Sequence, residues 1–155
     1  MLNYNNISSK LITFEDRYEA FHKPRRAHTT DNGMDMPIQK TFTVKPGEHA
    51  RIPCGLGMIL DEHTTAIVIP RSSTLRKTGL LVETNLIDQS YNGNEFSTQV
   101  FNLTQEPVTI EAGEFLAQVT LVTTKLFSNE QNCVDLEVSY QEDRNGGAFG
   151  SSDRK

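Results

Sequence analysis

Pro70-Arg71-Ser72-Ser73-Thr74-Leu75-Arg76-Lys77 follows the apolar run Ala66-Ile67-Val68-Ile69. Proline stops a strand there and leaves a guanidinium, hydroxyls and freed backbone donors at its end, which is the equipment for gripping phosphate oxygens; a surface turn with incidental charges would look the same locally. Thr30-Asp31-Asn32-Gly33-Met34-Asp35-Met36 sets two carboxylates around a glycine turn. Mg²⁺ already held by phosphates needs one or two carboxylates, often through water, so the turn suits an outer-shell anchor as well as a plain Asx turn between strands. In Gly113-Glu114-Phe115-Leu116-Ala117-Gln118-Val119 the amide of Gln118 stands among apolar neighbours and must tie down a loop or meet a ligand. Leu86-Ile87-Asp88-Gln89-Ser90-Tyr91-Asn92-Gly93 places one acid and one phenol between a strand end and a dipeptide that favours tight hairpins. Locally it also reads as an ordinary hairpin, with Asp88 in water and Tyr91 covering the core edge.

These stretches sit in a chain whose rhythm is β throughout. Runs at Leu11–Phe14, Phe42–Val44, Ala50–Ile52, Leu56–Leu60, Ala66–Ile69, Thr98–Phe101, Val108–Ile110, Leu116–Val122 and Val134–Val138 are punctuated by Pro46-Gly47, Cys54-Gly55, Asn92-Gly93 and Ala112-Gly113. Glu15–Phe21 and Ser73–Lys77 are the helical candidates, too short to found an α/β architecture. The expectation is an all-β sandwich or jelly roll. A length of 155 residues suits one domain, placed over residues 1–140, with 141–155 as a mobile C-terminal arm. The arm, rich in glycine and serine, cannot pack a core, yet it carries Phe149, suited to closing over something flat, and Arg144, suited to an anion.

A formal net charge of −5 argues against bulk nucleic-acid binding, so the cations for an anionic ligand must be local. The first residues lack a basic and then apolar leader, and no apolar run approaches membrane-spanning length. The expectation is a soluble, cytoplasmic protein with no membrane or nucleic-acid partner. Cys54 and Cys133 read as free buried thiols, and His22, His28, His49 and His63 show no ligand spacing. His22-Lys23-Pro24-Arg25-Arg26-Ala27-His28 reads as a solvated basic connector. A mean hydropathy of −0.46 calls for an economical core or one completed by partner subunits.

In order and spacing, these pieces resemble the five motifs of the trimeric dUTPase family, from about Asp31 to Ser152. Asp31–Asp35 resembles the first, Pro70–Ser73 with Gly79-Leu80 the second, Ile87–Gly93 the third, Gly113–Gln118 the fourth and Arg144–Ser152 the fifth. The resemblance implies a distorted jelly roll, assembled as a homotrimer with swapped C-terminal arms, that hydrolyses dUTP to dUMP and pyrophosphate with Mg²⁺. It further implies that motifs one, two and four come from one chain, motif three from a second and the arm from a third.

By that resemblance Asp88 activates water for attack at the α-phosphorus, and Tyr91 packs on the deoxyribose and excludes a 2′-hydroxyl. Arg71, Ser72, Ser73 and Gln118 bind the phosphate chain, and Asp35 contacts magnesium-bound water. Phe149 stacks on the base beside Gly150, while Arg144, Ser151 and Ser152 close on the γ-phosphate. The base pocket departs from the family: Asn85 stands where a glycine is usual, in a Val82–Leu86 segment shorter than the family's loop. Asn85 is therefore expected to read the base from a shortened hairpin, and Asn94-Glu95-Phe96, longer than usual, to form a bulge. The related dCTP deaminases need a proton-shuttling glutamate where this chain has Gln99, which an amide cannot replace. The alternatives are a dUTPase-like enzyme with different or broader pyrimidine preference, dCTP included, and an idle nucleotide- or protein-binding module.

Overall fold

Period-two alternation builds the longest strand, in which Ala50, Ile52 and Cys54 are buried while His49, Arg51 and Pro53 face outward. The structure is a computed structural model and describes residues 8–124. The predicted Val134–Val138 strand, Cys133 and the arm lie outside the described residues. The strands are β1 (Lys10–Thr13), β2 (Met34–Pro37), β3 (Phe42–Val44), β4 (His49–Ile59), β5 (Thr64–Pro70), β6 (Leu80–Val82), β7 (Asn85–Ile87), β8 (Glu95–Asn102), β9 (Val108–Ile110) and β10 (Phe115–Thr123), with one short helix, α1 (Thr74–Thr78). Two four-stranded sheets, ordered β1-β4-β8-β6 and β2-β10-β5-β7, and a β3-β9 ribbon are antiparallel throughout. Inward side chains from both sheets, Phe96, Ile52, Leu56, Val100, Met36, Val68 and Val119 among them, form one buried core. No helix among the described residues is long and apolar enough to cross a membrane.

Several expectations are corrected. The runs predicted at Ala50–Ile52 and Leu56–Leu60 merge into one strand, β4, which ends at Ile59. The predicted helix over Glu15–Phe21 shrinks to a 3₁₀ turn at Glu15–Arg17, and β2 and β6 were not anticipated at all. Asn92-Gly93 does not close a hairpin, because β7 and β8 lie in different sheets and a 3₁₀ turn at Gln89–Tyr91 joins them. Likewise β6 and β7 do not pair with each other; Glu83-Thr84 carries the chain from one sheet to the other. The bulge expected at Asn94–Phe96 falls on the facing strand instead, between Pro53 and Gly57 of β4. Gly55 sits there at φ +69°, and a side chain would collide with the Phe21 ring and the Gln39 amide.

That bulge is held by Glu95. Its carboxylate accepts hydrogen bonds from Gly55 N (2.8 Å), Arg17 Nη1 (2.9 Å) and the Tyr18 hydroxyl, tying the N-terminal segment to β8. Burial, and then the hydrogen bond to Glu95, push the Tyr18 hydroxyl well above its ordinary value, so it stays protonated in the fold. Burial also pushes the Cys54 thiol up to about 12; it is free and inward, as expected.

Glu95→Ala is expected to cost about 3 kcal/mol in chemical denaturation, because it leaves a backbone N–H and a phenol partly buried without an acceptor. Arg17→Ala should cost under about 1 kcal/mol, since that side chain is 56% exposed. The Tyr18 contribution is present below pH 10, where the unfolded phenol is protonated, and is lost as pH rises toward the raised folded value.

Candidate functional site

Register brings three of the motifs into one row. Gln118 on β10 lies opposite Asp35 on β2 and opposite Ile69 on β5, while Ala117 lies opposite Pro70. Arg71 leaves the end of β5 beside them, anchored by its own N–H to the Leu116 carbonyl (3.1 Å). The buried Thr74 hydroxyl donates to that same carbonyl at 2.6 Å, which fixes the turn through Ser72 and Ser73 before α1 begins. Ser72 is exposed and Ser73 half-buried; neither spends its hydroxyl on capping the helix. Two hydroxyls that cap nothing and a guanidinium therefore stand together at the C-terminal end of β5.

Asp35, 7% exposed, is held between two arginines. Arg71 Nε meets Oδ1 at 2.9 Å, and Arg25 Nε lies 3.9 Å from Oδ2. Both guanidiniums cover the Phe115 ring, at 4.4 Å for Arg25 and 5.8 Å for Arg71. The cluster is one carboxylate and two guanidiniums, so it carries net positive charge in an acidic chain and suits an anion. Arg25 corrects the reading of residues 22–28 as a mere connector, since its backbone bridges Asp35 in both directions (2.8 and 3.3 Å). Neither Arg25 nor Phe115 was singled out from sequence. Arg25 carried a signal in the basic loop, but its pairing with β2 depends on the fold.

Gln118 donates from Nε2 to the Pro70 carbonyl at 3.3 Å, and its amide lies over Gly33, where a Cβ would come within 2.0 Å of Oε1. The glycine of the first motif is thus required by the amide of the fourth. Asp31 is engaged elsewhere: its carboxylate accepts from the His28 N–H (2.8 Å) and pairs with the His28 ring, while its own N–H donates to the His28 carbonyl (3.2 Å), so it closes the turn over residues 28–31 and forms no Asx turn with the residues that follow. Among the described residues there is no group of three or more His, Cys, Asp or Glu able to hold a metal. The Asp35 carboxylate can at most face the water shell of a magnesium carried in by phosphates.

The third motif forms a separate cleft of about 230 Å³ lined by Arg51, Asn85, Asp88, Tyr91, Phe96 and Gln99, among others. Asp88 starts the 3₁₀ turn, its Oδ1 accepting from the Ser90 N–H (3.0 Å) and hydroxyl, while the side chain stays exposed. Tyr91 is half-buried; its hydroxyl donates to the Glu95 carbonyl (3.0 Å) and its ring stacks on Phe96 with centroids 6.3 Å apart. The Asn92 side chain clamps the turn to Leu60 through bonds of 2.8 and 3.0 Å. Asn85 donates to the Glu83 carbonyl (3.3 Å) and accepts from Gln99 Nε2 (3.2 Å).

The two clusters do not meet within one chain. Ile87 pairs with Ala66 near the start of β5, whereas Arg71 follows its end, so Asp88 and Arg71 are separated by about 15–20 Å at 3.3 Å per residue. Arg144, Phe149, Gly150, Ser151 and Ser152 lie outside the described residues.

Residues 19–152 match the family model for dUTPase. A deoxyuridine 5′-triphosphate nucleotidohydrolase of Haemophilus influenzae is 34% identical over 140 residues, covering 87% of this chain and 89% of its own length. That of Shewanella loihica is 34% identical over 138 residues, covering 85% and 87%. The dUTPase of Streptococcus mutans superposes with a TM-score of 0.68 at 25% identity, covering 78% of this chain and 98% of its own. A Staphylococcus bacteriophage 80alpha dUTPase with dUPNHPP gives a TM-score of 0.75 at 23% identity, covering 93% and 97%. On the breadth of these matches, the chain belongs to the dUTPase family.

Proposed function

We propose that this protein hydrolyses dUTP to dUMP and pyrophosphate in active sites built between subunits of a homotrimer. The observation that carries the reading is the separation of Asp88 from the Arg71 cluster along β5, in a chain of the dUTPase family that holds both. Groups about 15–20 Å apart cannot act on one phosphorus, since a nucleophile and its activator must lie within hydrogen-bond reach. A neighbouring subunit that brings its Asp88 to another chain's Arg71 removes the difficulty.

In this reading the arginine cluster receives the triphosphate. Arg71 keeps its Nε on Asp35 and turns its terminal N–H groups to phosphate oxygens, with Ser72, Ser73 and Gln118 adding neutral donors, and Asp35 faces the water shell of the cation. Magnesium, bound with the triphosphate, supplies charge neutralisation on the leaving pyrophosphate. From the adjoining subunit, Asp88 orients a water in line with the α-phosphorus and takes its proton. Tyr91, its ring plane fixed by Phe96 and its hydroxyl by Glu95, packs on the deoxyribose and leaves no space for a 2′-hydroxyl. The C-terminal arm from residue 141 onward closes a site of a neighbouring subunit, Phe149 over the base beside Gly150, and Arg144, Ser151 and Ser152 on the terminal phosphate.

Asp88→Asn should lower turnover of dUTP by about 10²–10⁴-fold with the trimer intact, measured as pyrophosphate release in the presence of Mg²⁺. Arg71→Ala and Asp88→Asn, each inactive alone, should restore about a quarter of wild-type activity when co-expressed as random trimers, because one site in each mixed trimer is then complete. An inactive mixture would place the site within one chain. Removing the residues after Asp143 should leave a folded trimer by sedimentation with little activity; an unfolded or fully active product would overturn the role given to the arm.

A further inference from the structure

Two carboxamides face each other in the third-motif cleft in an arrangement that has one possible polarity. The Glu83 carbonyl, 3.3 Å from Asn85 Nδ2, accepts and cannot donate, so the Asn85 amide must present nitrogen to it and oxygen to Gln99. Asn85 Oδ1 then requires the nitrogen of Gln99, which lies 3.2 Å away. The outer amide is thus oriented by the inner one, and both by a main-chain carbonyl. What remains among the described residues is one N–H on each amide and the Gln99 Oε1, so that the Asn85 donor and the Gln99 acceptor both belong to the wall of the cleft that holds Asp88 and Tyr91.

The pyrimidine bases differ on this point. Uracil presents an N3–H donor beside carbonyl acceptors, whereas cytosine presents an N3 acceptor beside an amino donor, so the two edges are complementary in sense. A base whose glycosidic direction is set by a sugar packed on Tyr91 can meet a fixed donor and acceptor in one order. Flipping both amides would reverse that order, but would set Asn85 Oδ1 against the Glu83 carbonyl, two acceptors with no proton between them.

We infer that Gln99 is a specificity-determining residue, holding Asn85 in the orientation that admits uracil and accepting the base N3–H itself. The inference rests on the dUTPase reading of the cleft. It goes beyond that reading because it gives base choice to a side-chain pair on β7 and β8, at the point where the two sheets meet. The main chain is insulated from the side chain's identity, since the Gln99 carbonyl accepts from the Glu83 N–H at 2.9 Å whatever residue stands there. Variants at this position should therefore fold.

The test is Gln99→Leu, which has no amide, and Gln99→Glu, which cannot donate to Asn85 and can turn to Arg51, its neighbour across the β4–β8 ladder. Steady-state rates with dUTP and dCTP are compared with binding of dUMP and dCMP by calorimetry, alongside melting temperature. For both variants the dUTP to dCTP ratio of kcat/KM should fall at least about tenfold, mostly through KM for dUTP, and the dUMP preference in binding should fall in parallel. A ratio unchanged in both folded variants, or a wild-type protein that binds the two monophosphates equally or not at all, would overturn the inference. Wild-type preference for dUMP without hydrolysis of dUTP would sink the proposed activity and leave the inference standing.

Discussion

A strand paired on both sides is stiff along its length, and β5 is such a strand, held by β10 over seven register positions and by β7 over three. The turn that carries Arg71, Ser72 and Ser73 grows from its C-terminal end, and the turn that carries Asp88 hangs beside its beginning. No side-chain rotation can bring those ends together, because the span exceeds the reach of an arginine and an aspartate combined. In the proposed reaction a rigid element thus keeps apart two groups of one chain that must act on the same substrate. That separation is the structural ground for the proposed assembly of sites between subunits, and it is independent of composition.

Within the arginine cluster the opposing tendencies are balanced by burial. Asp35 is nearly buried, and an isolated buried carboxylate would be costly. The 2.9 Å contact with Arg71 and the more distant charge of Arg25 make it tolerable, and both guanidiniums lie over the Phe115 ring. The same pairing holds Arg71 in place before any anion arrives, so little side-chain entropy is left to lose on binding. Gly33 belongs to this economy, because its missing side chain is what lets the Gln118 amide lie over the turn.

How much of this was legible in the sequence depends on which residues carry local signals. β3 and β9 were read at their observed limits, since Phe42–Val44 and Val108–Ile110 are β-branched or aromatic runs between turns. β2 was missed because Met34-Asp35-Met36-Pro37 mixes a charge and a proline into a buried strand, and neither is favourable until Arg71 and β10 are in place. β6 and β7 span three residues each, too short for periodicity to register, and their assignment to opposite sheets is a long-range fact. Asp35, Arg71 and Gln118 were expected to share a site and do lie in one row. Asp88 and Tyr91 share a cleft, while the arm residues fall beyond residue 124. Arg25 was invisible as a site residue because its role comes from a bridge to β2 across nine intervening positions.

The shortened segment ahead of Asp88 has a structural consequence that a sequence comparison presents as a loss. With Glu83-Thr84 as the whole connection between β6 and β7, the chain crosses from one sheet to the other without room for a separate loop. Asn85 consequently enters β7 opposite Val68 while still close enough to β8 to bond Gln99. A longer loop offers a ligand main-chain donors and acceptors that any residue can supply; a tight crossing leaves side-chain amides to do so. Amides can be flipped where main chain cannot, so a tight crossing needs something that fixes their sense. The Glu83 carbonyl, inside the crossing itself, is the group placed to provide it.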